Sequence, residues 1–229
     1  MKKRLLFVAL CTLLVLSCKT TEDPTDFEVS SLPGMIYDGD NRPCERVSLL
    51  VVKVLEGEEK ELYTVQTDIN GRFILPNLDR GDYRIIAGRE GYETLETDIS
   101  YTSRTEVLYL KMFSQDQLLV LAADSFDLGR FDKALAFLLR SEKIDDANPR
   151  HLYTHSVFLY DRGEYDKALE SLKKISSSGF DFPWVDLLVG DIYQYHLEEP
   201  QKALEALKRF STRIDDGDVK TRIKELENL

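Results

Sequence analysis

Gly129-Arg130-Phe131-Asp132-Lys133-Ala134-Leu135 and Gly163-Glu164-Tyr165-Asp166-Lys167-Ala168-Leu169 are two copies of one sentence, 34 residues apart. A third Ala-Leu pair, Ala203-Leu204, follows Ala168 by 35 residues. Each pair opens an apolar stretch at helical spacing. A fixed period in the thirties predicts stacked helical hairpins, in which each unit buries its apolar face against the next.

Working outward, Ser114 is placed to cap a helix over Gln115–Asp127, and Gly129-Arg130 turns the chain into a second helix from Asp132 to Lys143. Pro149 opens the next pair, with helices over Arg150–Asp161 and Asp166–Ser176. The third pair runs from Pro183 to Tyr195 and from Pro200 to Thr212. Its loop, His196-Leu197-Glu198-Glu199, absorbs the extra residue. Val219, Ile223, Leu226 and Leu229 recur at helical spacing and predict a capping helix over Asp218–Leu229.

In repeat phase, Leu118, Leu121, Ala122, Gly129, Phe131 and Ala134 form one set, with Gly163, Tyr165, Ala168 and then Gly190, Tyr193, Ala203 answering them. The segment 114–229 thereby resembles three tetratricopeptide (TPR) repeats plus a capping helix. His155, Ser156 and Pro200 depart from the usual residues. The resemblance implies that the first helix of each pair lines a concave groove. Carried onto this chain, that groove takes Leu119, Ala123 and Phe126 from the first repeat, Tyr153, Val157 and Tyr160 from the second, and Trp184, Leu187, Asp191 and Gln194 from the third. Tyr and Trp offer large contact areas with few torsions to freeze, as binding surfaces require.

The preceding segment, 29–112, reads as short strands. Val47–Val54 is β-branched and apolar, Phe73/Leu75 and Tyr83/Ile85/Ala87 alternate, and Asp38-Gly39 and Asp68-Ile69-Asn70-Gly71 mark turns. The Asn-Gly end of the second predicts a tight hairpin between its flanking strands. Gly34, Asp38, Pro43, Val47, Thr67-Asp68, Gly71, Phe73, Leu78, Gly81, Tyr83 and Gly91-Tyr92 together resemble the carboxypeptidase regulatory-like (transthyretin-like) domain. That resemblance implies a seven-stranded β-sandwich without an active site of its own. The expected fold is therefore multidomain, a β-sandwich followed by an all-α repeat array, joined near Phe113 by too little linker to let the two move independently.

At the N-terminus, Lys2, Lys3 and Arg4 precede an apolar run from Leu5 to Leu16, too short to span a bilayer comfortably. Val15-Leu16-Ser17-Cys18 resembles the lipobox of bacterial lipoproteins, which implies a signal peptide over 1–17, lipid on Cys18 and a polar tether over 18–28. An exported, lipid-anchored protein of the bacterial cell envelope is the expected location. Of three cysteines, Cys11 leaves with the signal and Cys18 carries lipid, so Cys44 has no intramolecular disulfide partner.

The chain has 30 Lys+Arg against 41 Asp+Glu, a net −11, and grows more acidic once its leader is gone. Such a charge disfavours nucleic acid and anionic headgroups, leaving the lipid as the membrane contact. No catalytic residue, metal site or cofactor is expected. His151 and His155 stand at i, i+4 without a third ligand, and His196-Leu197-Glu198-Glu199 spells the H-x-x-E of zinc carboxypeptidases inside a repeat loop. The Asp38 and Asp68 loops lack the full ligand series of a calcium loop. The expected partner is an envelope protein or peptide held in the groove; the alternative is a small molecule or glycan in a pocket of the helical domain.

Overall fold

The computed structural model describes residues 30–55, 57–102 and 106–229. The expected signal peptide over 1–17, the expected lipid site Cys18 and the expected tether over 18–28 lie outside the described residues. The described chain opens with strands β1 (Ser30–Tyr37), β2 (Ser48–Leu55), β3 (Glu58–Gln66), β4 (Arg72–Leu78), β5 (Gly81–Gly88), β6 (Leu95–Tyr101) and β7 (Leu108–Lys111). They form two sheets, in the orders β4-β1-β7 and β3-β2-β5-β6. Every pairing is antiparallel except that of β1 with β7.

Alternation along the strands sends one side chain in two toward a common core. Ile36, Leu75 and Leu110 come from the smaller sheet, while Leu49, Val51, Tyr83 and Ile85 come from the larger. The Tyr83 hydroxyl donates to the Asp79 carbonyl at 2.9 Å, which satisfies the one polar atom its burial would otherwise strand. Cys44 is a buried free thiol in the same core, and desolvation, with Asp38 adding, pushes its pKa up. It is a packing residue.

The Asp68 turn forms, but not the expected hairpin. β3 belongs to the larger sheet, whereas β4 crosses over to pair with β1, Gly34 opposite Phe73. The Ile36 amide donates to the Gly71 carbonyl at 2.9 Å, pinning the turn against β1. A side chain at Gly71 would meet the Ile36 carbonyl at 2.6 Å, and its φ of +70° is left-handed. The Asp38 turn is built identically. In both, one aspartate Oδ1 accepts the amides two and four residues on, Asp40 and Arg42 or Asn70 and Arg72, at 2.8–2.9 Å. Those carboxylates hold backbone in place.

Seven helices follow: α1 (Gln115–Asp127), α2 (Phe131–Glu142), α3 (Pro149–Asp161), α4 (Tyr165–Ser177), α5 (Trp184–Tyr195), α6 (Pro200–Ser211) and α7 (Gly217–Glu227). Ser114 caps α1 in a full capping box with Gln117. Helices pack as the pairs α1/α2, α3/α4 and α5/α6, with α7 on α6. Ala134, Ala168 and Ala203 are all buried at the paired surfaces.

The turns within the pairs repeat at atomic level. The first residue before each second helix donates back to its partner helix: Arg130 to Ser125, Glu164 to Leu159, Glu199 to Tyr193, at 2.8, 2.9 and 2.9 Å. The last bond spans one more residue than the others, which is where the 35-residue spacing arises. Gly129 and Gly163 take left-handed φ in the first two turns, and Glu198 takes it in the third, at +53°.

The join between the strands and helices is tightly bonded. The Gln115 amide donates to the Gly91 carbonyl at 3.0 Å, and Gln117 accepts from the Gly39 amide and donates to Asp40. Glu93 accepts from the Phe113 amide at 3.1 Å and from Arg140 of α2.

Candidate functional site

The first helices of the pairs form an inner row. α1 touches α3 and α3 touches α5, while α2, α4 and α6 are not packed on one another to that extent. Closer spacing of the inner row than of the outer bends an array toward the inner side, so α1, α3 and α5 line its groove.

Of the residues expected there, Ala123, Phe126, Tyr153 and Val157 converge on one cavity of about 260 Å³. α1 contributes Ala122, Ala123, Phe126 and Asp127; α2 contributes Ala134 and Leu138; α3 contributes Tyr153, Thr154, Val157 and Phe158. Phe126 meets Phe131 and Phe158 edge-on, with ring centroids at 5.6 and 6.2 Å. Tyr153 stands edge-on to Phe182 at 4.8 Å. These contacts hold the cavity walls in fixed orientations.

The other expected residues are placed differently. Leu119 is only 7% exposed and belongs to the core between α1 and α2, out of a partner's reach. Tyr160 ties the second repeat to the third: its hydroxyl lies 3.0 Å from His196 Nε2, and the His196 ring stacks on Tyr165 at 4.2 Å. Trp184 is 43% exposed and leans on Phe210, and Leu187 packs against the core that α6 shares with α7.

Asp191 and Gln194 are already engaged. Arg222 of α7 donates to Asp191 Oδ1 at 2.7 Å and to Gln194 Oε1 at 2.9 and 2.7 Å, with its guanidinium 5.0 Å from the Tyr195 ring centroid. Arg222 was missed in the groove. Its signal was the repeat phase itself: Leu119, Tyr153, Leu187 and Arg222 succeed one another at 34, 34 and 35 residues.

Burial sets the charge state of the titratable rings along α3. Burial, with Asp191 adding, pushes the phenols of Tyr153 and Tyr160 up, so both stay protonated. Burial pushes His151 and His155 down, and His151 Nδ1 sits 3.1 Å from Ser141 Oγ, joining α3 to α2. In the H-x-x-E loop, His196 is held by Tyr160 and Tyr165, and Glu199 pairs with Lys202. A second cleft of about 610 Å³ lies between α4, α5 and α6, lined mostly by charged side chains such as Lys173, Lys202, Glu205 and Arg209 around Tyr193.

No protein-family model and no curated protein matches the sequence. Solved structures do resemble it over about half its length. The N-terminal domain of stress-induced protein-1 from C. elegans is 14% identical, with 49% of this chain and 94% of that one covered and a TM-score of 0.42. The Yersinia enterocolitica type III secretion chaperone SycD, in complex with a peptide of the translocator YopD, is 16% identical over 49% of this chain and 92% of its own, at 0.44. The Arabidopsis OM64 TPR domain is 13% identical over 50% of this chain and 94% of its own, at 0.45.

Proposed function

We propose that the chain is a non-catalytic adaptor of the bacterial cell envelope, anchored by lipid on Cys18, that holds a protein or peptide in the groove of its TPR-like array. The observation that carries this reading is the cavity between α1, α2 and α3, an apolar socket walled by aromatic rings and lined by both inner-row helices α1 and α3. Interfaces concentrate affinity in such sites, where one buried anchor is surrounded by near-neutral contacts. The two-sheet region is read as a carboxypeptidase regulatory-like sandwich serving as a spacer, which the bonded join at Phe113 holds in one pose on the array.

The small-molecule or glycan alternative is disfavoured by size. Sites for drug-sized ligands occupy roughly 300–1,000 Å³, and the apolar cavity falls below that range. The larger outer cleft lacks a continuous apolar lining.

The test is cross-linking in intact membranes, comparing the wild type with Tyr153→Ala, with circular dichroism to confirm folding. One envelope protein captured by the wild type and lost by the folded variant supports the reading. Equal capture by both removes the groove from it, and no capture by either removes the adaptor. The anchor is tested separately: Cys18→Ala should move the protein from the membrane to the soluble fraction, and retention on the membrane would reject lipid on Cys18.

A further inference from the structure

We propose that the cavity between α1, α2 and α3 is a socket for a single bulky apolar side chain of a partner peptide, and that a Lys or Arg flanks that side chain. The inference rests on the groove reading above and names the chemistry of its partner.

Size sets the first half. A dry cavity of about 150 Å³ lined by aliphatic and aromatic groups takes up benzene, so about 260 Å³ accommodates one aromatic or branched aliphatic side chain. One lining position is smaller than its counterparts in the later repeats. Ala123 occupies the repeat position held by Val157 and Asp191 in the next two units. Ala122 and Ala134 form the floor, and Phe126, Tyr153 and Phe158 the walls.

Charge sets the second half. Asp127 is the one charged residue lining the cavity; it is exposed and makes no ion pair among the described residues. α1 ends at this point with no basic residue in its last turn, so the negative end of its dipole adds to the Asp127 carboxylate. Arg130, the nearest cation in sequence, lines the neighbouring cleft with Asp132 and Asp161. A cation beside the anchor is attracted here and an acidic residue repelled.

The length of the bound segment follows from Arg222. Its bonds to Asp191 and Gln194 occupy the polar groups that α5 turns toward α7. The peptide therefore lies over α1 and α3, past Tyr153 and Thr154 beside the socket; the Thr154 hydroxyl donates to the Arg150 carbonyl and can only accept from a backbone amide.

The test is panning of a random heptapeptide phage library on the full chain in detergent, in parallel with Ala123→Phe and Asp127→Lys. Ala123 is exposed at the lip, so a phenyl ring there fills the socket from outside the core. Selected peptides should share an aromatic or branched aliphatic residue beside Lys or Arg. A synthetic peptide of that consensus should bind Ala123→Phe about tenfold or more weakly, the factor expected for losing one buried side chain. Panning on Asp127→Lys should shift the flanking preference to acidic residues. Selected peptides that lack the apolar anchor, or bind Ala123→Phe as tightly as wild type, overturn the socket and leave the groove reading standing. No enrichment on any form overturns both. A measurement independent of the variants is titration of the wild type with indole, read by methyl NMR. Saturable shifts of the Ala122, Ala134 and Val157 methyls support the socket, and their absence at millimolar indole overturns it.

Discussion

Both carboxylate oxygens of Glu93 accept from the Arg140 guanidinium, Oε1 from Nη2 at 2.7 Å and Oε2 from Nε at 2.9 Å, clamping the two-sheet region to the second helix of the array. Oε1 also accepts the Phe113 amide, and the guanidinium lies 5.0 Å from the Phe113 ring centroid, so the clamp grips the join itself. Bidentate charge-assisted bonds fix orientation as well as add energy. Arg140 is 38% exposed, which discounts the pair for screening. Glu93→Ala and Arg140→Ala should each cost about 1–2 kcal/mol, with a coupling of about 1 kcal/mol in the double-mutant cycle. Small-angle scattering should broaden in both variants. An unchanged profile with zero coupling would assign the orientation instead to the backbone bonds of the join, from the Gln115 amide to Gly91 and from the Glu93 amide to Phe113, each at 3.0 Å.

Gly190 stands where the earlier repeats have Ala122 and Ser156, yet it has no room for their extra carbon. A Cβ at Gly190 would sit 2.6 Å from Leu207 Cδ2 and 2.9 Å from its Cγ, and Leu207 is fully buried. Gly190→Ala should destabilise the protein by about 1–3 kcal/mol, the usual cost of overpacking. Urea titration would show it. A neutral result would mean that α5 and α6 can separate freely.

The histidines give the helical array a pH dependence of known sign. Burial pushes His151 and His155 below the ordinary 6.5, so the folded chain binds fewer protons than the unfolded one as the pH falls past that value. Stability is whole above pH 6.5 and is lost on acidification toward the folded values, at up to about 1.4 kcal/mol per pH unit for each group. His151→Gln, which keeps a polar atom for Ser141, should flatten that slope in thermal melts between neutral and mildly acidic pH. An identical slope would deny His151 its part and leave His155 or the carboxylates as the source.

Arg222 holds α7 to the inner face through Asp191 and Gln194 and is itself 18% exposed. Arg222→Ala should cost about 1 kcal/mol and speed amide exchange along α7. Lys208 pairs with Glu227 on the exposed side of the same helix, at 2.7 Å, and Lys208→Ala should have little effect. Equal effects of the two substitutions would deny Arg222 its special place.

Much of the helical half was readable residue by residue. The expected α1, Gln115–Asp127 with Ser114 as its cap, has the observed bounds, and the loop at His196–Glu199 absorbs the extra residue where the spacing put it. In the groove, the phase located Ala123, Phe126, Tyr153 and Val157 on one face. It also assigned Leu119 to the groove, where the structure instead buries it in the core with α2 and Phe158 of α3. Phase reports the direction of a side chain; depth depends on what the neighbours cover.

The β half divides the same way. The turn at Asp68–Gly71 was visible because an aspartate bonding the amides two and four residues ahead is a local event. Which strand then receives β4 was not visible, because β1 lies more than thirty residues earlier and competes with β3 through contacts no turn encodes.

Sequence alone determined the number and period of the helical pairs, the Ser114 cap, the turns within the pairs and the acidic charge, since each is set by residues within about one turn or by simple count. Tertiary structure alone decided that β4 leaves β3 for β1, that Leu119 is core, that Arg222 bonds Asp191 and Gln194 of the third repeat, and that a socket lined by Ala122, Ala123 and Ala134 lies between α1, α2 and α3. Those outcomes depend on which distant surfaces meet and how completely they fill the space between them.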